Sequence, residues 1–136
     1  MKANLLGFVA VCAAAIVLLG VVGCGQRTEK KDDVRLTVQT YHNHLRWGRY
    51  AAASTMMDPA DREEFLGRHD ELGDDYKIVE LELRSMKFKS ETEVETKVVI
   101  KWLREPNMTV RKDKLLETWV RAGDGWLLTD VHVESR

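Results

Sequence analysis

The feature that most constrains this 136-residue chain is an uncharged apolar run at its start. Lys2 supplies one positive charge, and no charged residue occurs from position 5 to position 23. A short basic start, an apolar stretch and a small residue at its end form the layout of a secretory signal. We therefore predict that residues 1–23 are a signal peptide and that the folded part of the chain follows them.

The end of this run, Val21-Val22-Gly23-Cys24, resembles the lipobox of bacterial lipoproteins. The resemblance implies cleavage between Gly23 and Cys24 and attachment of a diacylglyceryl group to the Cys24 thiol. One acyl chain binds a membrane only marginally, whereas two or more bind it stably, so such a lipid would anchor the protein. The expected location is the bacterial cell membrane, on the periplasmic side of the outer membrane if the organism has one.

Two other interpretations of the apolar run stay open. The run is long enough for an uncleaved transmembrane helix of about 20 residues, although its glycines make it a mediocre one. Alternatively, Cys24 is an ordinary cysteine that follows a signal peptide. The other cysteine, Cys12, lies inside the run, so the predicted mature chain has no pair of cysteines for a disulfide.

Acidic and basic residues are nearly balanced, with 21 Lys and Arg against 22 Asp and Glu. They are interspersed along the chain, which argues against nucleic-acid binding through a basic face. Residues 25–33 contain no apolar side chain and are predicted to be a flexible tether. We therefore divide the chain into a signal peptide (1–23), a lipidated tether (24–33) and one domain (34–136).

The first half of the predicted domain has the periodicity of helices. Apolar residues at i, i+4, i+7 and i+11 predict one helix that begins near Asp33. They are Val34, Val38, Tyr41 and Leu45. A second short helix is predicted from Tyr50. A third begins at Asp58-Pro59 and ends at Gly73, and its inward residues are expected to be Phe65, Leu66 and Leu72.

From Tyr76 onward the pattern changes to the alternation of β-strands. Val79, Leu81 and Leu83 share one parity, and the next apolar residues have the other, so a β-bulge is predicted near Arg84. Gly123-Asp124 predicts a tight hairpin turn before the last strand. Helices followed by a four-stranded antiparallel meander indicate the α+β class.

The last two strands add a family resemblance. Residues 118–121 (Thr-Trp-Val-Arg) and 125–128 (Gly-Trp-Leu-Leu) are similar to the closing hairpin of nuclear-transport-factor-2-like domains, a cystatin-like α+β superfamily. The resemblance implies N-terminal helices packed on a curved four-stranded antiparallel sheet, with a cone-shaped pocket between them. Members include enzymes and binding proteins, so the fold by itself implies no activity.

The residues able to carry chemistry form no recognised motif. His42 and His44 lie about 200° apart around a helix, so they cannot share a metal ion. We expect no metal and no other cofactor. No nucleophile motif or phosphate-binding glycine loop is present, and no catalytic residue is assigned.

Five residues are candidates to line a pocket in a fold of this kind. They are Tyr41, Trp102, Trp119, Asp130 and His132. Strand alternation places Asp130 and His132 on the same face of the last strand as Trp126 and Leu128. The tryptophans have a second interpretation as core residues, and the two polar side chains have one as exposed strand residues.

The sequence predicts a membrane-anchored cell-envelope lipoprotein whose domain is a non-catalytic binding or scaffold module. Its expected partners are the membrane, through the lipid on Cys24, and a small apolar ligand or another envelope protein. A homodimer is a further arrangement to consider. One alternative is a transmembrane-anchored assembly component, similar to the envelope domains of type IV secretion systems. The other is an isomerase-like or dehydratase-like enzyme, which requires an acid of raised pKa in an open pocket.

Overall fold

The computed structural model describes the backbone of residues 25–134 and the side chains of residue 31 and residues 33–134. The predicted signal peptide (1–23) and the predicted lipidation site at Cys24 lie outside these residues. The elements are α1 (Gly25–Arg46), α2 (Tyr50–Ser54), a 3₁₀ turn (Pro59–Asp61), α3 (Arg62–Leu72), β1 (Tyr76–Phe88), β2 (Glu93–Arg104), β3 (Arg111–Ala122) and β4 (Gly125–Val133). The strands form one antiparallel sheet in the order β1-β2-β3-β4. Helices packed on this sheet confirm the α+β class.

Helix α1 packs through the predicted apolar stripe but begins earlier than the stripe indicates. Its first residue is Gly25, whereas the prediction placed the start near Asp33. All four stripe residues are buried. Because residues 25–33 contain no apolar side chain, periodicity carries no information about their conformation. The start of the helix is corrected, and the boundary between tether and domain stays a prediction.

The third predicted helix consists of the 3₁₀ turn followed by α3. The Asp58 carboxylate accepts a hydrogen bond from the backbone N–H of Ala60, and Pro59 occupies the first helical position, as predicted. Gly73 ends α3 with a φ of 75°. Phe65 is buried, but Leu66 is exposed, because adjacent helical residues point about 100° apart and only one can face the core.

Replacing Asp58 with Ala removes this cap, and we expect it to lower the free energy of unfolding by about 1 kcal/mol. Asp61→Ala is the matched control, because Asp61 precedes α3 without a capping side-chain hydrogen bond. Its loss should stay below about 0.5 kcal/mol. Urea denaturation of both variants measures the difference. Equal losses would contradict a specific capping role for Asp58.

Strand β1 contains two register shifts, of which one was predicted. The shift between Leu83 and Ser85 confirms the bulge near Arg84. A second shift, between Ile78 and Glu80, leaves Val79 without a partner on β2. Val79 is therefore exposed rather than on the inner face with Leu81 and Leu83. The apolar residues of β1 that pack against the core are Ile78, Leu81, Leu83, Met86 and Phe88.

Strand β4 also contains a bulge, and it reverses the predicted orientation of two candidate residues. Leu128 pairs with Trp119, but Asp130 pairs with Thr118, so Thr129 is an extra residue between the two pairs. Because paired residues share a sheet face, Leu128 and Asp130 lie on opposite faces. The prediction that Asp130 and His132 lie on the same face of β4 as Trp126 and Leu128 is therefore wrong. The preceding turn at Gly123-Asp124 is confirmed.

The core lies between the helices and the inner face of the sheet. Its buried members are Val34, Val38, Tyr41, Leu45, Ala53, Met57, Phe65, Val94, Trp119, Trp126 and Leu128. The backbone also closes one sheet edge, because Leu128 exchanges hydrogen bonds with Met56 and Asp58 on β4's open side. No helix within residues 25–134 combines the length and apolar character needed to cross a bilayer.

Candidate functional site

Tyr41 and Trp119 meet in the middle of the core. Their ring centroids are 5.4 Å apart in an edge-on arrangement, and the side chain of Trp119 is completely buried. Burial and the nearby Glu117 carboxylate raise the pKa of Tyr41, so its hydroxyl stays protonated at neutral pH. These two candidate pocket residues therefore act as core packing.

Trp102 lies at the other end of β2 from this pair. Its indole nitrogen donates a hydrogen bond to the Asp113 carboxylate at 2.7 Å, and its ring lies 5.4 Å from that of Tyr76. Burial raises the pKa of Tyr76 to about 12, and Tyr50 and Asp113 contribute to the increase. Trp102 thus belongs to a second aromatic group on the inner face.

Asp130 and His132 lie on the opposite face of the sheet, where both are exposed. Their closest side-chain atoms, a carboxylate oxygen and Nδ1, are 3.0 Å apart. The five candidate pocket residues are therefore not brought together. Tyr41 and Trp119 form one pair, Asp130 and His132 form another, and Trp102 belongs with neither.

The inner face contains a buried carboxylate, Glu117, that belongs to no recognised sequence motif. Its side chain is 1% exposed. His42 Nε2 donates to Oε1 at 2.8 Å, Thr96 Oγ1 donates to Oε2 at 2.8 Å, and Trp119 Nε1 donates to Oε2 at 3.2 Å. A buried carboxylate persists only where donors replace its lost hydration, and here three donors do so.

This polar cluster of His42, Thr96, Glu117 and Trp119 could have been found from strand parity. Glu117 alternates with Trp119 on β3, and Thr96 alternates with Val94 on β2, so both polar residues have inward positions. His42 follows Val38 by four residues on α1, which places it on the buried side of the helix. The sequence signal for this cluster is one polar residue at an inward-facing position of each of α1, β2 and β3.

In the polar cluster, the Glu117 carboxylate serves as a buried hydrogen-bond acceptor that holds the core together. Both carboxylate oxygens of Glu117 already accept hydrogen bonds, and the side chain has almost no contact with solvent. A general base must lie within hydrogen-bond reach of the proton that it removes. Glu117 has no such access from outside the core.

A separate open groove of about 680 Å³ runs beside α3. It is lined by Gly48, Tyr50, Leu66, Gly67, His69, Asp70, Gly73 and Asp74. Residues from the start of α2 and from the second half of α3 thus form its walls. The sequence does not predict this groove, because the groove depends on how two helices pack and not on the hydrophobic period of either one.

His69 and Tyr50 form the aromatic wall of the groove. Their ring centroids are 4.3 Å apart, and the His69 ring also lies 4.2 Å from that of Phe65. His69 Nδ1 donates to the Phe65 carbonyl at 2.8 Å, so the proton of the neutral ring lies on Nδ1. Burial lowers the pKa of His69 and raises that of Tyr50, which keeps both side chains uncharged at neutral pH.

Metal ligation is not apparent at either place. Across the part of the chain that the structure describes, no three His, Cys, Asp or Glu side chains are arranged to hold a metal ion. The groove instead combines an aromatic wall, a neutral imidazole and two carboxylates, Asp70 and Asp74. These groups can bind a small molecule by stacking, hydrogen bonds and charge.

No protein-family model and no curated protein sequence matches the chain. Several solved structures resemble it, including the following three. A domain of unknown function with a cystatin-like fold from Nostoc punctiforme has a TM-score of 0.63 at 14% identity, over 77% of this chain and 78% of that one. A protein named as a candidate scytalone dehydratase, from Novosphingobium aromaticivorans, has a TM-score of 0.60 at 11% identity, over 80% and 87% of the two chains.

The third is a protein named as a candidate polyketide cyclase, from Xanthomonas campestris pv. campestris. It has a TM-score of 0.52 at 13% identity, over 74% of this chain and 92% of that one. Identities this low carry the fold and not the activity. The chain has a cystatin-like α+β fold.

Proposed function

We propose that this protein is a membrane-anchored cell-envelope lipoprotein whose α+β domain is a non-catalytic binding module. The observation that supports the non-catalytic part is the polar cluster. Glu117 is the buried acid on the inner face of the sheet, and donors from His42, Thr96 and Trp119 occupy both of its oxygens. This buried acid is part of the core, and both of its oxygens already accept hydrogen bonds.

The dehydratase and cyclase names belong to the structural neighbours. Carrying such an activity to this chain would require an acid or base that faces a bound substrate. Asp130 and His132, the acid–imidazole pair considered from the sequence, lie on the outer face of the sheet. The geometry therefore favours binding over proton abstraction.

The anchoring part of the proposal is supported by the signal-like run and by Val21-Val22-Gly23-Cys24. Its test is Cys24→Ala, expressed in a bacterium that processes lipoproteins. We expect the wild-type chain to lose residues 1–23, gain the mass of a lipid and fractionate with membranes. The variant should accumulate as unprocessed, unlipidated precursor, because the acyl acceptor is missing. Mass spectrometry of the intact protein measures both changes.

Cys12→Ala is the control, since it removes the other cysteine without touching the predicted cleavage site. It should mature and fractionate as the wild type does. If Cys24→Ala also matures normally, lipidation at Cys24 is rejected. If the wild-type protein keeps its full-length mass and stays in the membrane, the transmembrane-anchored alternative is correct.

A further inference from the structure

We propose that the groove beside α3 is a binding site for a small organic cation with an apolar body. This inference rests on the proposed function of the domain as a binding module, and it names the site and the ligand chemistry. Small-molecule sites are concave and typically enclose about 300–1,000 Å³. The groove, at about 680 Å³, lies within this range and suits a small molecule.

The wall of the groove fits an apolar or aromatic body. Tyr50 presents a phenol ring that packs at a tilt against His69, and Leu66 contributes an exposed aliphatic side chain on the same lining. The face of a tyrosine ring also attracts cations, because its quadrupole is negative there. The wall therefore accepts a hydrophobic group and favours a positive charge next to it.

The carboxylates of the groove determine the sign of the charge that a ligand should carry. Asp70 and Asp74 both line it, and among the described residues neither forms an ion pair. Two nearby arginines are otherwise engaged. Arg68 pairs with Glu64 at 3.5 Å, and Arg104 pairs with Asp75 at 3.3 Å. Neither Asp70 nor Asp74 is therefore paired with a cation among the described residues, and a cationic ligand can pair with them.

The end of α3 adds to this negative potential. Lining residues of the groove occupy the second half of the helix, where backbone carbonyls carry the negative end of the helix dipole. Arg104 donates one hydrogen bond to the Leu72 carbonyl at 3.1 Å, and its charge offsets part of this potential. A cation at the groove would therefore interact favourably with both the carboxylates and the helix terminus.

His69 supplies a directed acceptor. Because Nδ1 donates to the Phe65 carbonyl, Nε2 of the neutral ring has a free lone pair. The lowered pKa of His69 keeps the ring in this form at neutral pH. An ammonium or guanidinium N–H can donate to Nε2 while its charge faces the carboxylates.

The test uses the full chain, labelled with ¹⁵N and purified from membranes in a mild detergent. Benzylamine and benzyl alcohol serve as probes, because they share the aromatic body and differ in charge. Benzylamine should shift the amide signals of Gly48, Gly67 and Gly73, and it should bind about tenfold more tightly than benzyl alcohol. In the variant Asp70→Asn/Asp74→Asn, benzylamine affinity should fall about tenfold, towards that of the alcohol.

Two further variants separate specific binding from other causes. Glu63→Gln/Glu71→Gln makes the same charge change on α3 outside the groove lining and keeps the ion pair of Glu64 with Arg68, so it should leave benzylamine binding unchanged. Gly67→Leu should abolish the shifts from both probes. A Cβ added at Gly67 has no neighbour within 4 Å, so the larger side chain can enter the groove without strain in the helix.

Three outcomes would overturn the proposal. Equal affinity for the two probes rejects cation selectivity but leaves the binding module standing. Absence of shifts at the three glycines rejects the groove as the site. An equal loss in the Glu63/Glu71 control variant shows that bulk charge alone attracts the amine. None of these outcomes affects the Cys24 experiment, which tests the anchor independently.

Discussion

Replacing Glu117 with Ala is expected to lower the free energy of unfolding by about 3–5 kcal/mol. The change leaves three buried donors, from His42, Thr96 and Trp119, without their acceptor. Each unsatisfied buried donor costs about 1–3 kcal/mol, and the lost methylenes leave a cavity as well. Urea denaturation followed by tryptophan fluorescence measures the loss.

Glu117→Gln keeps the shape of the side chain and one acceptor oxygen, so its loss should be smaller, about 1–2 kcal/mol. Glu93→Ala is the surface control on β2, because Glu93 is exposed, and it should change stability by less than about 0.5 kcal/mol. If Glu117→Ala costs no more than Glu93→Ala, the polar cluster does not stabilise the core.

The hydrogen bond between His42 and Glu117 makes a second outcome measurable. Residues that share a partner have non-additive effects, with interaction energies of about 0.5–3 kcal/mol. The double variant His42→Ala/Glu117→Ala should therefore lose less stability than the two single variants combined. Strict additivity would contradict a shared role for the two side chains.

Replacing Trp119 with Ala is the second change with a large expected effect, a loss of about 3–5 kcal/mol. The indole is completely buried, packs edge-on against Tyr41 and donates to Glu117. The substitution therefore opens a cavity and removes one of the donors in the polar cluster. Thermal or urea unfolding of the full chain measures the effect.

Trp47→Ala provides a matched control with the same chemical change at the surface. Trp47 is 68% exposed, and its replacement should alter stability by less than about 0.5 kcal/mol. Trp119→Phe should fall between the two, because it keeps a ring beside Tyr41 but loses the N–H donor. Similar losses for Trp47→Ala and Trp119→Ala would contradict the placement of Trp119 in the core.

The elements that could be predicted are those whose signal is local. The stripe of α1, the capping residues before α3, the bulge near Arg84 and the turn at Gly123-Asp124 all follow from spacing or turn chemistry within a few residues. The start of α1 was missed because residues 25–33 have no apolar period. Leu66 was misplaced because two adjacent helical residues were both assigned to the core.

The bulges at Val79 and Thr129 were not predicted, and the reason is different. In β4 the aliphatic residues change from an even position, Leu128, to the odd positions Val131 and Val133. A change of the same kind indicates the bulge in β1. Because Val131 and Val133 are exposed, burial does not reinforce that signal. The orientation of Asp130 and His132 consequently depended on the register with β3, which is a tertiary property.

The polar cluster and the groove differ in how far the sequence could reach them. Strand alternation predicts that Glu117 and Thr96 point inward. It does not predict that His42 lies opposite them, because His42 and Glu117 are 75 residues apart in the sequence. The groove needs the contact between the rings of Tyr50 and His69, which depends on the packing of α2 against α3. No periodicity within either helix contains that information.

The sequence by itself determined the class of the fold, the helical stripe and the hairpin, because each follows from the geometry of a single element. It also supplied the basis for the proposed anchor at Cys24. The tertiary structure alone decided which residues meet. Register shifts moved Asp130 and His132 to the outer face, helix packing placed His42 on Glu117, and the contact between α2 and α3 created the groove. Those contacts join distant parts of the chain, so they depend on the whole packing arrangement rather than on local pattern.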